Sequence, residues 1–166
     1  LVASFQRPGD TTPYTGGDLV GINTSQNAGN AIAVDNAVFA NGDGFRIERI
    51  GLRKTTNGVS NASFRVHVWS DLPTFTSIGD NGAQGAINAL VVDSLQYHVD
   101  YFDVTMDRAA SGASAGARGI GVPSTGAACI VRPAAGTTFY LSVQALANYV
   151  PGNGEQFFFR IEGMRA

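Results

Sequence analysis

Ala62-Ser-Phe-Arg-Val-His-Val-Trp69 alternates residue by residue: Phe64, Val66 and Val68 point one way, and Arg65, His67 and Trp69 the other. A period of two is the mark of a β-strand with one face against a core. The pattern recurs. Phe102, Val104 and Met106 alternate with Asp103 and Thr105, and Phe139, Leu141, Val143 and Ala145 share a parity within residues 137–150. Within 155–162, Phe157, Phe159 and Ile161 do the same, while Phe158 breaks the polarity of the outer face.

Residues 45–54 read as a strand with a fault. Phe45 and Ile47 share one parity, Ile50 and Leu52 the other, and a β-bulge near Glu48-Arg49 would keep all four in the core. Weaker strands are expected at 2–5, 19–22, 31–39, 90–95, 119–122 and 128–132. Asn41-Gly-Asp-Gly44, Thr56-Asn-Gly58, Asp80-Asn-Gly82 and Pro151-Gly-Asn-Gly154 supply turns. No ten-residue stretch carries a helical stripe, and the small-residue run 109–117 reads as a loop. The expected fold is therefore all-β, a β-sandwich or jelly roll of about 8–10 strands. Its body spans 19–166, preceded by residues 1–18 as an extended N-terminal arm or first strand. The last two strands, 137–150 and 155–162, read as a long hairpin in the middle of one sheet.

The 166 residues suit one such domain, at most with an arm. The 21 glycines show no period and fall between apolar runs, which excludes collagen and points to tight turns. Net charge is -2, so no global field draws the chain to nucleic acid or an anionic membrane. No apolar stretch approaches the roughly 20 residues of a membrane span. Leu1-Val-Ala-Ser-Phe5 lacks the pattern of a signal peptide. One cysteine, Cys129, excludes an intrachain disulfide and reads as a small buried side chain. One lysine, Lys54, stands against ten arginines, a bias that suits a partly covered, oligomeric surface or the drift of a GC-rich genome.

Catalytic patterns are not found. His67 and His98 belong to no spaced ligand set; His67 reads as a packed or solvent-facing ring, and His98 as one that Asp100 could orient. No Gly-x-Ser-x-Gly elbow occurs, and Gly119-Ile-Gly-Val-Pro123 lacks the third glycine of a dinucleotide fingerprint and reads as a loop-to-strand turn. Asp10, Asp18, Asp43, Asp71 and Asp80 read as turn-stabilising side chains. Asp103 and Asp107 share a strand face and could pair as carboxylates, but a structural role is the simpler reading. No catalytic residue, metal or cofactor is therefore assigned, and the expectation is a protein that is not an enzyme. Arg46, Arg49, Arg53, Lys54 and Arg65 form the densest basic region; on adjacent strands they could face phosphates, though nearby acids would neutralise them, and nucleic acid is not the expected partner.

The opening stretch Ser4-Phe-Gln-Arg-Pro-Gly-Asp-Thr-Thr-Pro-Tyr-Thr-Gly-Gly-Asp-Leu-Val20 resembles a segment of small proteins encoded beside the major capsid protein of tailed bacteriophages. Gly44-Phe-Arg-Ile-Glu-Arg-Ile-Gly-Leu-Arg-Lys54, residues 62–69, Gly79-Asp-Asn-Gly-Ala83, Phe102-Asp-Val-Thr-Met-Asp107, residues 119–123 and the final strands extend the likeness in order over most of the chain. The resemblance implies a capsid decoration, or cement, protein: a β-sandwich, usually trimeric, on the outer surface of the virion head. Its implied partners are the major capsid protein and its own copies. Phe5, Arg7, Pro8 and Tyr14 are then the expected capsid contacts, with the prolines fixing an extended path; alternatively Phe5 sits in the protomer's own core. The rival reading is a glycan- or receptor-binding module, like a head fibre, that presents Trp69, Tyr97, Tyr101, Tyr140 and Tyr149 to sugars.

Overall fold

The computed structural model describes residues 1–24, 30–75, 79–82, 95–110 and 115–166. Its strands are β1 (Val2–Gln6), β2 (Leu19–Val20), β3 (Ile32–Val34), β4 (Phe45–Lys54), β5 (Ser63–Trp69) and β6 (His98–Thr105). They are followed by β7 (Arg108–Ala110), β8 (Gly116–Gly121), β9 (Cys129–Val131), β10 (Phe139–Ala145) and β11 (Gln156–Arg165). Two antiparallel sheets pack face to face. The six-stranded sheet runs β1-β11-β4-β8-β7, with β9 beside β8 along the same edge of β4. The five-stranded sheet runs β2-β10-β5-β6, with β3 beside β2 along β10.

The alternating side chains meet between the sheets. Phe64 of β5 packs edge-on against Phe157 of β11 at 5.3 Å, and Phe45 of β4 stacks on Phe139 of β10 at 6.4 Å. Such pairs add directional stacking to the burial that holds the layers together. The expected fault in β4 is present: Glu162 pairs with Arg49 and Gly163 with Ile47, leaving Glu48 as the extra residue. Phe45, Ile47, Ile50 and Leu52 all face the core as a result. At one corner the sheets converge. A Cβ at Gly119 would collide with the Thr105 carbonyl oxygen, and one at Gly121 would lie 2.8 Å from that of Asp103. Glycine in β8 is thus a condition of close approach to β6; 119–121 belongs to this strand, as expected for 119–122, and is not the turn that the string 119–123 also suggested.

Three further expectations change. β10 and β11 form no hairpin: they lie in opposite sheets, and residues 146–155 cross between them. That crossing is held because Tyr14 and Tyr149 exchange backbone hydrogen bonds at 2.8 and 3.2 Å, and Glu155 is buried beneath it. The run 109–117, expected as a loop, contributes to β7 and β8, which pair antiparallel. The expected strand at 31–39 contracts to β3, and that at 90–95 lies largely outside the described residues.

Within residues 1–18, the stretch Val2–Gln6 is a strand of the sandwich itself. β1 pairs with β11, and Phe5 stacks on Phe157 at 5.1 Å inside the core. Arg7 and Tyr14 are buried too, and Pro8 is half-buried. The reason is polar as well as apolar. The Arg7 guanidinium donates to the Tyr14 hydroxyl at 2.7 Å, the Asp10 carbonyl at 2.6 Å and the Asp80 carboxylate at 3.2 Å. Asp80 also accepts from the Tyr14 hydroxyl and the Gly21 amide. Burial pushes the Asp80 carboxyl up against the pull of these donors, and pushes the Tyr14 hydroxyl up as well.

Candidate functional site

Every second residue of the six-stranded sheet faces away from the core, and register brings these residues into rows across the strands. Ser4 of β1 lies opposite Phe158 of β11, which lies opposite Arg53 of β4. Arg53 lies opposite Arg118 of β8, and Arg118 opposite Arg108 of β7. Three exposed arginines therefore stand side by side at strand spacing, about 4.8 Å apart per step. Arg53 lies over the Phe158 ring, 5.6 Å from its centroid. Arg108 has Asp107 at 4.0 Å, while Arg53 and Arg118 meet no carboxylate among the described residues.

The next row, two residues along the strands, is apolar at both ends. Val2 lies opposite Arg160, Arg160 opposite Gly51, and Gly51 opposite Ile120. Val2 and Ile120 are 79% and 64% exposed. A Cβ at Gly51 would meet nothing nearer than Arg160 at 3.7 Å, so the glycine leaves a dent rather than avoiding a clash. The resulting groove, about 610 Å³, adjoins a second concavity of about 480 Å³, and both are lined by Arg53 and Arg118. Further along, Glu162 ties up Arg49 at 2.6 Å and Arg160 at 3.0 Å, and Arg46 remains exposed. This face carries Arg46, Arg49, Arg53, Arg108, Arg118 and Arg160 against the carboxylates of Glu48, Asp107 and Glu162. A chain of net charge -2 thus presents one strongly cationic surface.

Of the basic region expected from sequence, Arg46, Arg49 and Arg53 belong here and two members do not. Lys54 points inward and is fully buried, its Nζ 3.1 Å from Glu155. Glu155 also accepts from the hydroxyls of Thr56 and Tyr149. Burial pushes the Lys54 ammonium down, opposed by Glu155. Arg65 stands on the other sheet, where it holds Asp103 through two bonds of 2.7 and 2.8 Å. Asp103 is therefore an ion-pair partner. Arg108, Arg118, Arg160 and Gly51 were not singled out by sequence reasoning, because nothing along the chain pairs β4 with β8 or β11.

The outer face of the five-stranded sheet is closed by comparison. Trp69 is buried with Leu19 and Phe75, and its Nε1 donates to the Ser142 hydroxyl at 3.0 Å. His67 is buried as well, with Nδ1 at 3.1 Å from His98 Nε2 and Nε2 at 3.4 Å from the side-chain Oε1 of Gln144. Burial and the neighbouring His98 push His67 down to about 3. The partner of His98 is thus His67, while Asp100 accepts from the Ser124 hydroxyl. Tyr149 is buried, and Tyr97, Tyr101 and Tyr140 are half-buried. Cys129 is buried and its thiol is pushed up to about 12 by burial. Asp10, Asp18, Asp43 and Asp71 accept local backbone amides as expected of turn residues, whereas Asp80 serves the buried Arg7 cluster.

Among the described residues no three of His, Cys, Asp and Glu gather as a metal site, and no helix is long and apolar enough to cross a membrane. No family model, curated protein or solved structure matches the chain.

Proposed function

We propose that the chain is a structural binding protein, a capsid decoration or cement protein of a tailed bacteriophage. In this reading it sits on the outer surface of the head as a homotrimer, contacts the major capsid protein and stabilises the expanded shell. The jelly-roll connectivity that the sequence suggests belongs to the same reading. The observation that supports it is the arginine-lined outer face of the six-stranded sheet, a broad cationic and apolar surface on a rigid two-layer body. A cement protein works by mass action on what it binds, without a reacting group. Three copies bridging neighbouring capsid subunits raise effective concentration, so modest contacts per protomer suffice. Preference for the expanded shell then stabilises it by linkage.

Of the two parts open to the N-terminal segment, this reading uses the one within the protomer's own sandwich. Phe5, Arg7 and Tyr14 fasten it to its own sandwich, and its outward residues Val2 and Ser4 border the cationic face. The burial of Trp69 and Tyr149 takes two of the five aromatic side chains of the glycan-binding alternative out of solvent. The test is to mix the protein with purified heads of its phage that lack it. Saturable binding, with heads that break at higher temperature afterwards, is expected. Absence of binding together with saturable hits on a glycan array would overturn the reading in favour of a carbohydrate module.

A further inference from the structure

The row of Arg53, Arg118 and Arg108 holds a conflict that the fold itself does not require. Like charges directly opposite one another on neighbouring strands are destabilising, and an acid at the middle position would relieve both contacts. Local choices that oppose stability are concentrated where a surface has another task. The means of relief is legible in the geometry. A guanidinium presents a planar fork that takes carboxylates through two parallel hydrogen bonds. Arg53 is steadied over Phe158, which lowers the entropy lost on binding. One row away, about 7 Å along the strands, Gly51 leaves its dent between the exposed Val2 and Ile120.

We propose, resting on the docking reading above, that this face seats an extended acidic segment of the partner protein. Its carboxylates sit on Arg53, Arg118 and Arg108, and an apolar side chain fills the dent over Gly51. A protein segment fits better than a nucleic acid on two counts. The one aromatic ring of the row, Phe158, already has Arg53 over it, where a base would have to stack. Val2 and Ile120 call for an apolar neighbour, which a phosphate backbone lacks.

The probe is a labelled, end-blocked peptide of alternating glutamate and leucine, followed by fluorescence anisotropy at low salt, with a glutamine-for-glutamate peptide and a short oligothymidylate as rivals. Saturable binding of the acidic peptide alone is expected. Arg118→Glu should weaken it at least about tenfold, Gly51→Val should weaken it by filling the dent, and Arg132→Gln, away from the row, should leave it unchanged. Cooperative thermal melting of each variant confirms that it is folded, and Arg118→Gln serves if the reversal is not. Tighter binding of the oligothymidylate, or peptide binding indifferent to both Arg118 variants, would overturn the proposal. Heads that bind the protein when the peptide does not overturn this assignment and leave the decoration reading standing. Peptide binding without head binding does the reverse.

Discussion

The two sheets turn opposite kinds of face to the outside. On the five-stranded sheet the half-buried cation of β5, Arg65, lies directly opposite Asp103 and grips it with both arms of its fork. The flanking positions His67 and Trp69 are covered and hydrogen-bonded. On the six-stranded sheet the same cross-strand positions hold arginine opposite arginine opposite arginine. Strand geometry is common to both, so the difference lies in side-chain chemistry alone. The first face is complete within the protomer. The second leaves its charge and apolar surface in solvent, where the proposed partner would cover it.

The contrast can be broken most forcefully on a single strand. Lys54 and Arg53 are neighbours on β4, one sealed in with Glu155 and the other in solvent. Lys54→Ala strands a buried carboxylate and should cost about 3–5 kcal/mol in urea unfolding, whereas Arg53→Ala should shift stability by less than about 0.5 kcal/mol. Equal losses for the two would mean that the face assignments of β4 are wrong. Trp69→Ala comes next, at about 3–5 kcal/mol if the covered face of the five-stranded sheet is a true extension of the core. In the wild type, Trp69 emission should be blue-shifted and resistant to acrylamide quenching.

A third test uses pH. His67 is held neutral to about 3 in the folded state, against about 6.5 when unfolded. Its folded value is depressed, so between these values the unfolded chain binds the additional proton, and stability should fall as pH drops from about 6.5 toward about 3. His98, also pushed down by burial, adds to the same slope, while Asp103 opposes it and Arg65 reinforces it. His67→Gln should flatten the dependence of the urea midpoint between pH 7 and pH 4. The smallest effect is the most pointed. Arg118→Glu transplants the arginine–acid pairing of one sheet onto the other and should raise stability by about 0.5–1 kcal/mol. A loss instead would show that the row is not in conflict.

Much of this was legible along the chain. Alternation located β5, β6, β10 and β11, and the parity change between Ile47 and Ile50 located the bulge at Glu48. That bulge also carried an unused signal: after it, Ile50, Leu52 and Lys54 share one parity, so the lysine had to point inward with the two aliphatic residues. The crossing at 146–155 was not legible, because Pro151-Gly-Asn-Gly154 suits a hairpin turn equally well. The pairing of Tyr14 with Tyr149 and of Lys54 with Glu155, distant in sequence, helps to hold the chain on its way to the other sheet. The arginine row was hidden for a related reason. Arg53, Arg108 and Arg118 are far apart in sequence, and which strands become neighbours is decided by packing rather than by local pattern.

The burial of Lys54 also has a practical consequence. Every other cationic side chain of the sequence is an arginine or a histidine, so acylating reagents find no lysine amine on the native surface. Modification at position 54 would then proceed only as fast as β4 and the crossing segment come apart. A timed pulse of such a reagent, read by mass spectrometry, becomes a clock for the opening of the sandwich.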